Sequence, residues 1–351
     1  MSMIRLPGSN RFSPIGVDIG SRSVKLVQFK TDFSHLVDAS RWDVPAEVDE
    51  VPGANTLSAA IRKARNNRRF RGKRAVLCLN SEHLFLQNVR VNKAGGLEMD
   101  TLVQQEVAGR LPFPVAESEI RYVEAADIRQ GDSMMREVIA MAVHRPVLDS
   151  QLRIVEAAGL RPVAVDVEPL ALHRSFARQL RRDEDRTQRT LLLQIGYTYS
   201  IVVIAEAEEV LFIKYIPIGG KDMDDAVARH LEMPVSDASH LRKHNGDRRS
   251  DLQDPEIASS VAEATRPVLD RLNGELAMCV RYHSVTFRGK PLVRLVLGGG
   301  EATPTLAEAL GQRLNLKHSM SDPLRGFSNT TDSDRRTQWD IAAGLAMRSL
   351  N

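Results

Sequence analysis

The chain has 351 residues, more than one ordinary domain, so two or more lobes are expected. Its 42% hydrophobic and 26% charged residues are typical of a globular protein. The 48 basic and 45 acidic residues leave a net charge of only +3, which argues against a general affinity for nucleic acid. No apolar run approaches the roughly 20 residues that span a bilayer, and the first residues lack the apolar segment of a signal peptide.

The first distinctive stretch covers residues 14–26. In residues 15–20, apolar side chains alternate with glycine and aspartate, a period of two that predicts a β-strand. Gly20 and Ser21 then turn the chain, and residues 24–29 predict a returning strand. Backbone N–H groups in such a turn can bind phosphate oxygens, and a carboxylate at the strand end, here Asp18, can hold a hydrated Mg²⁺. Asp-x-Gly is common, so this stretch alone is weak support for a nucleotide site.

A third strand is predicted at residues 36–44 and a helix at residues 55–69. A dense basic run overlaps this helix and the segment after it: Arg62, Lys63, Arg65, Arg68, Arg69, Arg71, Lys73 and Arg74. One interpretation is attraction to an anionic membrane surface or to nucleic acid. The alternative is a solvated helix face and loop, which is favoured because no aromatic ladder for stacking bases accompanies the run.

After a predicted strand at residues 74–79, the pattern indicates an inserted α/β subdomain. Its predicted elements are strands at 85–91, 120–126 and 138–143 and helices at 97–111 and 146–158. Pro112 ends the first of these helices because proline cannot continue it, and Gly159 suits the C-cap of the second. A strand at 161–166 and a helix at 170–180 follow, and then a charge-rich connector at 181–189.

A second strand–turn–strand unit begins near residue 191. Its apolar run contains Gln194, its turn contains Gly196 and Thr198, and further strands are predicted at 201–205 and 210–216. Such a repeat predicts two similar halves that face each other across a cleft.

Two glycine-rich segments follow the second unit. Gly219 and Gly220 precede a predicted helix at 223–231, where they could admit a phosphate or form a plain turn. A buried-type strand runs into the triplet Gly298–Gly300 and a helix at 305–314, and such glycines let the backbone approach a ligand closely. Helices are predicted after Pro234 and at 258–282 and 341–346. A loop with short helical pieces at 240–256 and a polar loop at 321–338 complete the pattern.

The two cysteines, Cys78 and Cys279, lie in apolar surroundings and match no metal-binding spacing. They are therefore predicted to be reduced core residues, which suits a cytoplasmic protein.

Two phosphate-type hairpins followed by a glycine triplet are typical of the actin-like ATPase superfamily. More specifically, the chain resembles the PilM family, the cytoplasmic actin-like proteins of type IV pilus assembly, which are related to the division protein FtsA. The segments that carry the resemblance span nearly the whole chain: 17–26, 111–114, 156–160, 165–169, 219–220, 297–300 and 344–346. The Pro112-Phe113-Pro114 element and the run from Glu156 to Pro169 are the most diagnostic, because generic sugar kinases and chaperones lack them.

The resemblance implies an actin-like ATPase fold, a duplicated RNase H-like architecture with two lobes and an inserted 1C-type α/β subdomain. Residues 1–73 would form lobe 1A with the first phosphate hairpin, and residues 74–160 the insertion. Residues 161–190 would return to lobe 1A and form a connector. Residues 191–351 would form lobe 2A/2B, with a C-terminal helix that returns toward lobe 1.

The resemblance also implies a bound ATP with Mg²⁺. Asp18 would hold the metal, and Asp18, Glu168 and Gln194 would be the catalytic positions. Glu168 could instead only cap its helix. The residues expected at the nucleotide are Gly20, Ser21, Ser23, Lys25, Gly196, Tyr197, Thr198, Gly219, Gly220, Lys221, Arg242, Gly298, Gly299 and Gly300.

One departure from the family pattern bears on catalysis. Gln194 stands where the family normally has the aspartate of the second hairpin, and an amide gives the metal no charge and takes no proton from attacking water. Ser239 and Arg242 stand where family members tend to have a glutamate and a lysine near adenosine, so one charge is lost and one is kept. ATP binding with weak hydrolysis is therefore expected.

The partner implied by the family is the cytoplasmic N-terminal tail of a bitopic membrane protein, PilN, which docks between lobes 1A and 1C. Most apolar positions of the helix at 97–111 should serve the core of the insertion, and one or two should face that groove. Pilus or secretion motor components are further candidate partners, no nucleic acid is expected, and the protein would be peripheral to the inner membrane through its partner. Two alternatives stay open: a small-molecule kinase of the same fold, for which no base aspartate or substrate motif is found, and a binding module without nucleotide.

Overall fold

The computed structural model describes residues 11–44, 53–92, 97–130, 133–180, 182–247, 254–327 and 336–349. The predicted polar loops at 240–256 and 321–338 and the predicted connector at 181–189 therefore lie partly outside the described residues. The chain divides into two compact units. The first unit contains residues 1–80, 148–179 and 323–351, and the second contains residues 81–147 and 180–322. The four-segment division expected from the family stays a prediction.

Within the described residues the chain forms thirteen strands and ten α-helices. The strands are β1 (Ile15–Ile19), β2 (Ser23–Phe29), β3 (Leu36–Asp43), β4 (Arg74–Leu79), β5 (Phe85–Asn92), β6 (Ser118–Gln130), β7 (Ser133–His144), β8 (Arg161–Val167), β9 (Arg189–Ile195), β10 (Ser200–Glu206), β11 (Glu209–Ile216), β12 (Leu292–Gly298) and β13 (Lys317–Met320). The helices are α1 (Ala54–Arg65), α2 (Met99–Ala108), α3 (Arg145–Ala157), α4 (Glu168–Ala177), α5 (Asp183–Arg186), α6 (Gly220–His230), α7 (Val235–Asp247), α8 (Pro255–Thr286), α9 (Pro304–Leu314) and α10 (Asp340–Ala346).

The first unit is built on a five-stranded sheet in the order β3-β2-β1-β4-β8. Strands β1 to β3 are antiparallel neighbours, and β4 and β8 continue the sheet in parallel with β1. Ile15, Val17 and Leu26 belong to one apolar cluster with Ile61 of α1 and Val155 of α3. Side chains of β2 and β3 pack instead with α10. Side chains that alternate along these strands therefore point to opposite faces of the sheet, and helices cover both faces.

The second unit repeats this topology. Its main sheet has the order β11-β10-β9-β12-β13, with β9 to β11 antiparallel and β12 and β13 parallel to β9. The β9–β10–β11 hairpins therefore correspond to β1–β2–β3, and β12 corresponds to β4. The prediction of two similar halves is confirmed at the level of sheet topology.

The predicted insertion is a three-stranded antiparallel sheet, β5-β7-β6, with α2 packed on one face. Val103 and Val107 of α2 are buried against valines of β5 and β7. The insertion is tied to the main sheet of the same unit, because Asn88 Nδ2 donates to the carbonyl oxygen of Ile213 on β11 at 2.9 Å. Arg90 and Tyr282 of α8 both bind the buried carboxylate of Glu137.

Small residues let α10 pack directly on backbone in the first unit. A Cβ added to Gly344 would lie 1.8 Å from the carbonyl oxygen of Ala171 on α4. One added to Gly16 of β1 would lie 2.1 Å from the carbonyl oxygen of Ala342. Any side chain at either glycine would therefore separate α10 from its neighbours.

Some predicted boundaries are wrong. Helix α1 ends at Arg65 rather than at residue 69, because Asn67 adopts φ +58° and leads into a turn. Helix α2 ends at Ala108 rather than at 111, and β6 and β7 are longer than predicted. Residues 240–247 continue α7 as one helix, rather than forming a loop with short helical pieces. The buried positions predicted for Cys78 and Cys279 are confirmed. Among the described residues, no helix combines the length and the apolar character needed to cross a bilayer.

Candidate functional site

The first hairpin places a buried carboxylate beside a lysine. Asp18 lies on β1 directly opposite Lys25 on β2, and Lys25 Nζ is 2.9 Å from Asp18 Oδ2. The turn between the strands is closed by the Gly20 N–H, which donates to the carbonyl oxygen of Ser23 at 3.0 Å. Ser21 is exposed at the tip of the turn, and Ser23 is buried. The turn of Gly20, Ser21 and Arg22 therefore follows directly on the strand that carries the charged pair, and a role in binding phosphate stays a prediction.

Two further groups lie beside Asp18. Ligand atoms of Asp18, Cys78 and Glu168 are all within 4.8 Å of one another, and all three residues are buried. Glu168 is the first residue of α4, which begins two residues earlier than predicted, and a catalytic role for this acid stays a prediction. Burial raises the pKa of the Cys78 thiol well above its usual value, and the nearby charges of Asp18 and Glu168 raise it further. A neutral thiol is a poor ligand, so the oxygens of Asp18 and Glu168 remain, which is the donor type that Mg²⁺ prefers.

The second hairpin reproduces the turn of the first. The Gly196 N–H donates to the carbonyl oxygen of Tyr199 at 3.0 Å, the same spacing as between Gly20 and Ser23. Gln194 is buried at the end of β9, and its Oε1 accepts no hydrogen bond from the described residues. An unpartnered buried amide oxygen costs free energy, and water or a ligand donor would offset that cost. This oxygen is therefore the feature of the second hairpin that best fits a bound group.

The start of α6 is joined to this hairpin by backbone hydrogen bonds. Gly220 N donates to the carbonyl oxygen of Gly196 at 2.9 Å, and Lys221 N donates to that of Tyr197 at 2.7 Å. Gly219 N donates to the side chain of Asp222, and a Cβ on Gly219 would lie 2.5 Å from the Tyr197 carbonyl oxygen. These hydrogen bonds are explained if Gly219 and Gly220 simply form the turn before α6. Contact of Gly219, Gly220 and Lys221 with nucleotide stays a prediction.

The glycine triplet packs on the end of β9. Gly299 has φ +99°, and a Cβ there would lie 2.2 Å from the carbonyl oxygen of Ile195. Gly298 is the last residue of β12 and is buried, and Gly300 is half-buried. The triplet thus brings Glu301 over α6, where a Cβ on Gly220 would lie 2.5 Å from the carboxyl carbon of Glu301. Three segments of the second unit converge here: the second hairpin, the start of α6 and the triplet.

Arg242 of α7 joins this convergence through two buried carboxylates. Its Nε lies 2.7 Å from Asp224 Oδ1 and its Nη2 lies 2.7 Å from Glu301 Oε2. Lys243 Nζ lies 3.1 Å from Glu301 Oε1. Burial alone would raise the pKa of Glu301, but the two cations lower it below its ordinary value. Arg242 therefore has a defined role in holding α6, α7 and the triplet together, and its proximity to adenosine stays a prediction.

Sequence reasoning missed four residues of these clusters: Cys78, Asp224, Lys243 and Glu301. Glu301 directly follows the glycine triplet, and that position was the one available signal for it. Cys78 was assigned only to the core, and Asp224 looks like one of several acids in an amphipathic helix. Thr198 and Tyr197 lie half-buried in the second turn, as their positions in the sequence require.

Comparison with known protein families decides the classification. The sequence model described as "Type IV pilus assembly protein PilM" matches residues 16–350. The chain belongs to the PilM family. A search of curated proteins finds no match to it.

Three solved structures show the fold that PilM proteins share with other actin-like proteins. The chain is 22% identical to a chain of a PilM–PilN type IV pilus biogenesis complex, with a TM-score of 0.77, and 97% of this chain and 99% of that chain are covered. It is 14% identical to the ethanolamine utilization protein EutJ from Carboxydothermus hydrogenoformans, with a TM-score of 0.59 and coverage of 97% and 91%. It is 10% identical to MreB5 of Spiroplasma citri bound to AMPPNP, with a TM-score of 0.50 and coverage of 96% and 95%. The predicted actin-like ATPase fold is confirmed.

Proposed function

We propose that this PilM-family chain is an ATP-binding scaffold of a type IV pilus, or of a related type II secretion machine, in the cytoplasm at the inner membrane. The observation that carries the nucleotide part is the pair of matching glycine turns, one beside Asp18 and one beside Gln194. The similarity to MreB5 bound to AMPPNP supports it, because that structure holds a nucleotide in the same fold. Each hairpin is proposed to supply contacts to the phosphates.

The two hairpins would contribute unequally to metal chemistry. A bound Mg²⁺ would neutralise phosphate charge, and Asp18 with Glu168 offers buried carboxylate oxygens to hold it. Gln194 offers an unpartnered amide oxygen that can orient water without removing its proton. Because of this difference, we expect the protein to bind ATP and to hydrolyse it slowly.

Calorimetry with ATP and Mg²⁺, together with steady-state phosphate release, tests the proposal. We expect binding that Asp18→Asn or Glu168→Gln weakens and that Asp32→Asn leaves unchanged, because Asp32 is exposed on a separate turn of the first unit. Turnover in the usual enzyme range of about 1–1000 s⁻¹ would contradict the slow hydrolysis. If the protein binds no nucleotide, the proposal of an ATP-binding scaffold is wrong, and the alternative of a binding module without nucleotide takes its place.

The proposed partner is the cytoplasmic N-terminal tail of a PilN-like bitopic membrane protein, through which the chain would reach the inner membrane. The similar structure that contains both PilM and PilN supports this choice. In the insertion, Val103 and Val107 are buried in the core, whereas Leu97 is 50% exposed just before α2. Leu97 is therefore the apolar side chain of this segment that remains available to a peptide.

A synthetic peptide with the sequence of a PilN-like cytoplasmic N-terminal tail provides the probe. We expect binding by the intact protein, with hydrogen-exchange protection that includes α2. Leu97→Ser should weaken the affinity about tenfold, since a few apolar anchors dominate such interfaces. Met134→Ser is the matched control, because Met134 is 58% exposed at the start of β7 in the same subdomain. If the peptide does not bind, or if it protects only β9–β13 from hydrogen exchange, this docking site is wrong.

A further inference from the structure

The basic run found in the sequence surrounds the end of α1, and part of it is structural. We define the basic loop as residues 62–74. Arg62 donates to the carbonyl oxygen of Ala157 and Arg65 to that of Gly72. Arg68 pairs with the buried carboxylate of Asp38 at 2.7 Å. These three arginines fix the shape of the basic loop and tie it to the first unit.

Four of the other five cations of the basic loop are exposed, and Arg74 is half-buried. Lys63, Arg69, Arg71 and Lys73 are exposed, and among the described residues no carboxylate forms an ion pair with any of them. The backbone that presents them is well defined, because Arg69 N donates to Asp38 Oδ2 and Arg71 N donates to Gln28 Oε1. Lys63 lies on α1, and the other three cations lie on the segment after it, whose backbone is held at Arg69 and Arg71. Exposed cations within eleven residues of the chain are a source of attraction for an anionic surface.

An exposed tryptophan lies next to this charge. Trp42 on the edge strand β3 is 38% exposed, and Lys63 Nζ lies 5.1 Å from the centre of its ring. The neighbouring acid, Asp43, is paired with Arg41 at 2.6 Å, and no ion pair between Asp43 and Lys63 is found among the described residues. The chain has only one other tryptophan, Trp339, which is 4% exposed.

We propose that the basic loop and Trp42 bind directly to an anionic phospholipid surface. Lysine and arginine near a membrane attract acidic headgroups, and a tryptophan with an apolar body and a polar N–H favours the interface. Binding of single-stranded nucleic acid would instead use open aromatic faces for stacking bases. Lys63 already covers a face of Trp42, and no second exposed aromatic accompanies it among the described residues of the basic loop. The lipid surface is therefore the favoured ligand.

Vesicles with and without an acidic lipid test the proposal on the full chain. We expect binding to phosphatidylglycerol-containing vesicles and not to pure phosphatidylcholine, with an affinity that falls as salt rises. The triple variant Arg69→Ala, Arg71→Ala, Lys73→Ala should bind about a hundredfold more weakly, because each cation contributes to the attraction. Brominated phosphatidylglycerol should quench the emission of Trp42, and Trp42→Phe should remove that quenching, since Trp339 is buried.

A charge-matched triple variant serves as the control. Arg229, Arg281 and Arg288 are also exposed but lie in the second unit, so replacing them with alanine should leave vesicle binding unchanged. Circular dichroism and thermal unfolding of both triple variants confirm that they fold. Lack of binding to the acidic vesicles would overturn the proposal, and so would equal losses in the two triple variants. Vesicle binding without Trp42 quenching, or a preference for duplex DNA over vesicles, would also overturn it.

Discussion

Lys25 faces Asp18 across the first hairpin, and its Nζ lies 2.9 Å from Asp18 Oδ2 in a largely buried ion pair. In the absence of a metal ion, this lysine supplies the counter-charge that the buried carboxylate requires. We expect Lys25→Met to lower the free energy of unfolding by about 3–5 kcal/mol, because the carboxylate would then be buried without a partner. Added Mg²⁺ should recover more stability in this variant than in the wild type, since the ion can replace the lost charge.

Denaturant titrations with and without Mg²⁺ measure both effects. Arg186→Met is a suitable comparison, because Arg186 pairs with Glu208 at 2.8 Å on the surface and such pairs contribute about 1 kcal/mol or less. If both variants lose the same free energy of unfolding, or if Mg²⁺ stabilises Lys25→Met no more than the wild type, then the charge of Asp18 is neutralised in another way.

The contact between α10 and α4 depends on Gly344. Gly344→Ala would place a Cβ 1.8 Å from the carbonyl oxygen of Ala171, so the helices must move apart. We expect this variant to lose about 1–3 kcal/mol or more of stability through overpacking. Gly274→Ala is the matched control, because Gly274 lies in helix α8 with open space around its Cβ position. The control should gain up to about 1 kcal/mol from better helix propensity. Comparable melting temperatures for the two variants would contradict the close packing.

The sequence predicted those parts of the fold that depend on short-range patterns. Alternation predicted β1, the turn after it predicted β2 as the returning strand, and apolar runs predicted β9 and β10. The repeat of this unit predicted two similar halves, and the two five-stranded sheets share that topology. The same short-range logic placed Gly159 at the end of α3, where it adopts φ +78°.

What the sequence did not predict depends on contacts between distant residues. The second half of α7 was predicted as a loop with short helical pieces, because the apolar stripe of this helix is short, with Ala238 fully buried. It is held instead by Arg242, whose partners Asp224 and Glu301 are 18 and 59 residues away. Cys78 comes next to Asp18 only through the pairing of β4 with β1. No local pattern encodes such pairs, so the polar clusters of the candidate site were the least predictable part.

His283 should make the stability of the second unit depend on pH. Burial, and then the charge of neighbouring Arg189, lowers the pKa of His283 to about 4, whereas an unfolded histidine titrates near about 6.5. Between these values the unfolded chain binds more protons than the folded one, so stability rises with pH through this window. We expect a loss of about 2 kcal/mol on going from pH 7 to pH 5.

Unfolding measured at several pH values checks this expectation. His283→Phe should flatten the slope between pH 4 and 6.5 while keeping a ring next to Phe287, which lies 5.7 Å from that of His283. His230→Gln should leave the slope unchanged because His230 is exposed. If the stability of His283→Phe changes with pH as steeply as that of the wild type, other groups cause the pH dependence.

Gln194 stands where the resemblance to the PilM family predicts an aspartate. Gln194→Asp would place a carboxylate at the end of β9, where the amide oxygen now has no hydrogen-bond partner among the described residues. Without Mg²⁺ this buried carboxylate should have a raised pKa and reduce stability. With Mg²⁺ and ATP it should strengthen the dependence on the metal and raise phosphate release on the order of 10²-fold, as a positioned general base does.

Gln194→Asn is the comparison, because it shortens the side chain equally without adding charge. If Gln194→Asp folds and yet matches Gln194→Asn in metal dependence and turnover, then residue 194 does not face the metal and the proposed equivalence of the two hairpins in catalysis is wrong.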